Sequence, residues 1–171
     1  EAARLARIVK RPVMVAWTRA EEFFFDSFRP AAVIKVRSGL TNGGKIAFWD
    51  YDNHFAGERS SEPVYDIPHL RVRARSGWQD RNAPHPFATG AWRGPGSNSN
   101  VFAGESHVDA MAAAAGIDPL SFRLENLSHE RMVRVLKTAA KAFGKPFAPG
   151  PSGRGRAIVC ADYHNTYVAA A

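Results

Sequence analysis

The sequence predicts an α+β fold, an antiparallel or mixed sheet with helices packed on one side as a two-layer sandwich. Three observations carry that expectation. Two strand-like runs, residues 32–40 and 45–53, flank Thr41-Asn42-Gly43-Gly44, and Asn-Gly between β-branched, apolar runs is a strong hairpin signal. Residues 101–143 then change to a period near 3.6, with glycine and proline stops between successive apolar stripes. Between the two regions lies Gly94-Pro95-Gly96 followed by Ser97-Asn98-Ser99-Asn100, a turn opening onto a helix start.

The N-terminal run places Leu5, Ile8 and Val9 on one helical face, and Arg11-Pro12 stops it. Residues 13–17 read as a buried strand. Thr18 can cap a short helix through Phe25, with Glu21 as its capping-box partner. In the hairpin, Val33, Lys35 and Arg37 alternate with Ile34, Val36 and Ser38. The second strand sets Ile46, Phe48, Asp50 and Asp52 against Ala47, Trp49 and Tyr51. Residues 70–77 alternate Val72 and Ala74 with Arg71, Arg73 and Arg75, a half-buried strand whose arginine face is either solvated or turned to a partner.

One helical stripe runs through Val101, Gly104, Val108, Met111, Ala112 and Ala115, and Gly116 ends it. Asp118-Pro119 starts the next helix, with Leu120, Leu124 and Leu127 on its buried side. Ser128 can cap a third, carrying Met132, Val135, Leu136, Ala139 and Phe143. Residues 147–156 form a Pro/Gly linker, and residues 157–171 return to strand character. The whole chain reads as a single domain or part of one. It starts within a helical pattern without methionine and stops in an apolar run, which points to a segment of a longer chain.

With 171 residues, 45% apolar and 23% charged, the chain is long enough to bury a core and is not of disordered composition. No apolar run approaches the ~20 residues needed to span a bilayer. The formal charge is +7, and 17 of the 23 basic residues are arginine, which favours bidentate acidic partners or an anionic cofactor over general phosphate-backbone binding. A nucleic-acid or acidic-protein binder stays open as an alternative, although the chain has no zinc-finger ligands, RNP motif or basic heptad region. Cys160 is alone, in the apolar run 157–161, and reads as a buried thiol.

The candidate site is the central turn. Gly94 and Gly96 permit positive φ and close backbone approach. A helix N-terminus beside them presents amide N–H groups and a positive dipole end to an anion, and Arg93 adds a forked cation. The plainer alternative pairs Arg93 with Glu105 or Asp109. No catalytic set is evident. None of the six histidines is spaced like a zinc helix, no G-x-S-x-G elbow positions a serine, and no metal-ligand cluster is seen. His107 sits beside Glu105 on a polar helix side that a solvated face explains equally well.

Several stretches in order carry a family resemblance. They are Glu1-Ala2-Ala3 with Arg11-Pro12-Val13, Trp17-Thr18-Arg19-Ala20-Glu21-Glu22, Phe28-Arg29-Pro30, Tyr65-Asp66-Ile67-Pro68, Gly90-Ala91-Trp92-Arg93-Gly94-Pro95-Gly96, Glu105-Ser106-His107-Val108-Asp109, and Asp118-Pro119 with Phe122-Arg123. Together they resemble the molybdenum-cofactor-binding large subunit of the xanthine dehydrogenase/aldehyde oxidase family, in particular the isoquinoline and nicotinate dehydrogenase type.

The resemblance implies a molybdenum-pterin cofactor, with Trp92, Arg93, Gly94 and Gly96 beside it. Pro95 falls where purine-oxidising members place a substrate-sandwiching aromatic, which argues against a purine pocket. It further implies hydroxylation of an aromatic N-heterocycle or aldehyde with water-derived oxygen. The expected partners are the remaining segments of the large subunit and an iron–sulfur subunit or domain, in the cytoplasm or periplasm. The family's glycine-rich cofactor loop, expected before Glu1, and its glutamate base, expected beyond Ala171, are not in these residues. Neither is a cluster-binding set of cysteines. The chain alone is therefore expected to be inactive; a non-catalytic scaffold is the remaining alternative.

Overall fold

The computed structural model describes residues 1–80, 84–144, 151 and 153–171. The elements in chain order are α1 (Ala2–Val9), α2 (Arg19–Phe25), β1 (Val33–Leu40), β2 (Ile46–His54), β3 (His69–Arg75), α3 (Ser97–Ala115), α4 (Pro119–Glu125), α5 (Glu130–Phe143), β4 (Val159–Tyr163) and β5 (Thr166–Ala170). The first three strands form one sheet in sequence order, and β4 and β5 form a separate two-stranded sheet. This is the expected α+β architecture. Half of the expected linker, residues 147–150 and 152, lies outside the described residues.

The Asn42-Gly43 turn joins β1 and β2 as antiparallel partners, with Val36 opposite Tyr51 and Arg37 opposite Asp50. The register slips between Gly39 and Leu40, leaving Ala47 as the extra residue on β2. That bulge corrects one expectation. Simple alternation groups Ile46 with Phe48, but the extra residue re-aims the strand, so Ile46 is buried with Trp49 and Tyr51 while Phe48 is exposed. The Ile46 N–H, next to the bulge, donates to Asn126 Oδ1 at 2.9 Å.

β3 lies on the other side of β2 and runs parallel to it, with Asp50 opposite Arg71 and Asp52 opposite Arg73. Because side chains alternate across a strand, this register stacks the arginine face of β3 on the aspartate face of β2. Asp50 bonds Arg71, both through Nε at 2.8 Å and through Nη2, and Arg37 at 2.9 Å. Asp52 meets Arg73 at 2.9 Å and Arg75 at 3.1 Å. The outer face is thus a ladder of internal ion pairs, each worth ~0–1 kcal/mol at such exposure.

The inner face of the sheet carries the core. Trp49, Tyr51, Val108, Met111, Ala112, Phe122, Met132, Leu136 and Ile158 are buried in one cluster. Helix α3 begins at Ser97, so the four polar residues expected as caps form its first turn, and Asn100 is buried. Asp118 caps α4 through its side chain to the N–H groups of Leu120 and Ser121, with Pro119 at the first position. The cap of α5 is His129, where Ser128 was the candidate; its ring also stacks on Tyr167 of β5, centroids 4.5 Å apart.

One expectation fails near the N-terminal end, and the C-terminal run has the strand character expected of it. Residues 13–17 form no strand; Met14 is 90% exposed and Trp17 58% exposed. Apolar composition drives burial only where a facing surface exists, and none of residues 1–31 joins the core cluster. The C-terminal run is two antiparallel strands, because His164 and Asn165 both adopt positive φ, 48° and 61°. The Thr18–Glu21 capping box of α2 is present as expected.

Candidate functional site

Trp92, Arg93, Gly94, Pro95 and Gly96 form the turn that delivers the chain into α3. Gly94 has φ 65° and Gly96 has φ 78°, the left-handed region that side-chain-bearing residues rarely adopt. A Cβ on Gly96 would lie 2.7 Å from the Ala56 carbonyl oxygen, so the turn is pressed directly on the β2–β3 connection. The Asn98 N–H donates to the Gly94 carbonyl at 3.1 Å, continuing the helical ladder into the turn.

Below the turn, Asn100 locks α3 to that connection with both ends of its amide. Its Oδ1 accepts from Tyr51 Oη at 2.9 Å and Asn53 Nδ2 at 3.3 Å. Its Nδ2 donates to the carbonyls of Gly57 at 3.0 Å and Arg59 at 2.9 Å. Burial pushes the Tyr51 hydroxyl far above its ordinary pKa, so it remains a donor. A cleft of about 470 Å³ opens beside Pro95, lined by Arg59, Ser76, Trp78 and Asp80 among others.

Above the turn, Trp92 is 58% exposed and Arg93 is also exposed. Arg29, half-buried, donates from Nη2 to the Arg93 carbonyl at 2.8 Å. Neither guanidinium has a carboxylate partner among the described residues. Arg29, Trp92, Pro95 and Gly96 border one small depression with Gly90 and Ser99. A short cationic rim over a backbone-lined turn is suited to an anionic, oxygen-rich group.

The alternative pairing of Arg93 with Glu105 or Asp109 is not formed, because Arg123 takes both. Its Nε lies 3.1 Å from Glu105 Oε2 and its Nη1 2.7 Å from Asp109 Oδ1. Glu105 also receives the Tyr65 hydroxyl at 2.7 Å and the Cys160 N–H at 3.0 Å. Glu105 is therefore an interior residue, which corrects its expected place on a polar helix side. Burial raises its carboxyl above the ordinary value, opposed by Arg123, Tyr65 and the Cys160 amide. Burial also pushes the Cys160 thiol up to about 12, which leaves no nucleophile at neutral pH.

His107 is half-buried rather than on a solvated face. Its Nε2 is 2.7 Å from Ser38 Oγ and its ring meets Trp49 edge to face. Burial lowers its pKa. Among the described residues no group of three or more His, Cys, Asp or Glu side chains is placed to hold a metal ion, and no helix is long and apolar enough to cross a membrane.

Residues 53–127, which include the whole turn and Asn100, match the family described as Molybdopterin cofactor-binding domain. That stretch belongs to the molybdopterin-binding family. A nicotinate dehydrogenase subunit of Pseudomonas putida is 31% identical over 95% of this chain and 16% of its own length. The aldehyde oxidoreductase molybdenum-binding subunit PaoC of Escherichia coli is 30% identical over 84% of the chain and 22% of its own. The beta subunit of isoquinoline 1-oxidoreductase from Brevundimonas diminuta is 24% identical over 99% and 24%, respectively. A solved aldehyde oxidoreductase from Desulfovibrio gigas overlays 64% of the chain at a TM-score of 0.47 and 20% identity, covering 16% of that structure. The chain thus spans about a sixth to a quarter of the length of the curated relatives named here. Over most of its length it is similar to subunits of nicotinate dehydrogenase, aldehyde oxidoreductase and isoquinoline oxidoreductase.

Sequence reading found the turn but assigned no role to Arg29, although Phe28-Arg29-Pro30 is one of the stretches that carry the resemblance. Local spacing cannot join residues 64 positions apart. The Asn100 lock was equally hidden, since a polar residue near a helix start reads first as a cap.

Proposed function

We propose that this chain supplies one wall of the cofactor site in a molybdenum hydroxylase that oxidises an aromatic N-heterocycle or an aldehyde. Trp92, Arg93, Gly94 and Gly96 face the cofactor, and Pro95 borders the substrate pocket. The observation that supports this best is the turn itself. Two positive-φ glycines lead into a helix start, with Gly96 pressed on the Ala56 carbonyl, and the adjoining Arg29 and Arg93 have no carboxylate partner among the described residues. These features fit an anionic, oxygen-rich cofactor.

When bound, that cofactor supplies the two-electron oxidation and the transfer of water-derived oxygen. The residues of this chain bind and orient. Arg93 offers a charged fork to anionic oxygen, the Gly94–Gly96 backbone permits close approach, and Trp92 offers an apolar surface that excludes water. Proline at position 95 removes the aromatic platform that a purine would stack on, so a single-ring or non-purine bicyclic substrate suits this wall better. No described residue is placed as the general base. Residues 1–171 alone are accordingly proposed to turn over nothing, and an iron–sulfur unit is proposed as the electron-accepting partner.

The test is Arg93→Ala in the holoenzyme. Molybdenum content or turnover falls more than melting temperature does. Full metal loading and normal turnover, accompanied only by lost stability, would overturn the reading.

A further inference from the structure

We propose that Arg29 is a positioning residue for the cofactor turn, acting through the peptide bond between Arg93 and Gly94. The inference rests on the reading of residues 92–96 as cofactor-facing. The segment around Phe28 is a strap laid along the approach to the turn. The Phe28 N–H donates to the Ala88 carbonyl at 2.9 Å, and the Gly90 N–H donates to the Phe28 carbonyl at 2.9 Å. The Phe28 and Phe87 rings lie 4.7 Å apart. Position 90 accepts only glycine, because a Cβ there would overlap the Ser27 side chain.

From the end of this strap Arg29 reaches forward and donates from Nη2 to the Arg93 carbonyl at 2.8 Å. The peptide unit is planar and trans, so the N–H of Gly94 points opposite to that carbonyl. Fixing one fixes the other. Gly94 lacks the Cβ that would otherwise restrict its φ, so this peptide plane has little intrinsic resistance to rotation. Arg29 is the only described residue that bonds its carbonyl, and the Gly94 N–H has no acceptor among the described residues. The result is an unpaired amide donor on an exposed residue of the turn, directed away from the Arg29 guanidinium. Arg29 thereby sets the direction of a backbone donor toward the oxygen atoms of the cofactor, and its remaining N–H groups add charge to the same rim.

The experiment compares Arg29→Ala, Arg29→Gln, Arg29→Lys and Arg93→Ala in the holoenzyme. Molybdenum content per protein after gel filtration, melting temperature, kcat and KM are measured for each. Loss of a residue that orients a cofactor contact lowers metal retention or kcat by about tenfold or more. The expected result for Arg29→Ala is a loss of that size with a melting temperature within about 2 °C of the parent, as for a side chain outside the core. Arg29→Gln keeps an NH2 donor and recovers part of the loss. Arg29→Lys, a flexible point charge without the planar fork, recovers less. Unchanged molybdenum and kcat in Arg29→Ala, with both lowered in Arg93→Ala, would overturn the role of Arg29 and leave the site reading standing. Unchanged molybdenum and kcat in both would overturn the site reading as well. A fall in melting temperature that matches the loss of metal, without rescue by glutamine, would make the strap purely structural and overturn the inference.

Discussion

Arg123 Nε lies 3.1 Å from Glu105 Oε2, and both side chains are withdrawn from water, at 0% and 7% exposure. The pair joins α4 to α3, and the Cys160 N–H joins β4 to the same carboxylate oxygen. Breaking a buried pair by removing one member costs ~3–5 kcal/mol, because the other charge is left unpaired. Arg123→Met is expected to lower the unfolding free energy by an amount in that range, with Glu105→Gln milder because its amide oxygen still accepts from Arg123, which also keeps Asp109 as a partner. Equilibrium unfolding of both variants checks this, and an unaltered midpoint for Arg123→Met would refute it.

Gly96→Ala tests the turn from the backbone side. At φ 78° a methyl group is strained by ~1–3 kcal/mol, and it also meets the Ala56 carbonyl oxygen. The substitution is expected to lower the melting temperature and to reduce molybdenum content together. Gly104, where a Cβ meets nothing within 4 Å, provides the control: Gly104→Ala leaves molybdenum content unchanged.

Asp50 gives a pH prediction. Its hydrogen bonds from Arg71, then those from Arg37, hold its pKa near 2 against burial, below its ordinary 3.8. A carboxyl depressed in the folded state contributes stability that is present above the unfolded value and disappears as pH falls through the folded one. That contribution is lost between about pH 3.8 and about pH 2. Asp50→Asn is therefore expected to flatten the fall of stability across this window, measured by urea unfolding at stepped pH. Curves of equal slope for parent and variant would contradict the assignment.

Cys160 has a thiol pushed up to about 12 and is 3% exposed. It is expected to resist a maleimide at neutral pH in the folded protein and to react at once in denaturant, as read by intact mass. Rapid labelling of the native state would show that the β4–α3 contact opens.

The parts of the fold that could be read in the sequence are those specified within a few residues. The Asn42-Gly43 hairpin, the Thr18–Glu21 box and the Asp118-Pro119 start all depend on neighbours in the chain, and all three formed as written. The misread parts depend on what lies opposite. Val13 to Trp17 has strand composition but no partner strand. Ala47 bulges beside Ile46, whose N–H meets Asn126, 80 residues away. Glu105 looked solvated until Arg123 arrived from the next helix. Of the candidate site, the glycine turn was visible as a local signal, whereas the grip of Arg29 and the lock of Asn100 belong to tertiary structure.

The mixed sheet also has a kinetic meaning. β2 meets β1 across a tight turn, an event on the scale of microseconds. Its parallel partner β3 arrives only after the segment between them has been drawn round, and loop closure makes non-local pairing slow. Asn100 touches that segment at Gly57 and Arg59 and also β2 through Tyr51 and Asn53. The first turn of α3 therefore has no complete seat until the sheet exists. The final shape of the turn of Trp92 to Gly96 is conditional on contacts that are non-local in the chain.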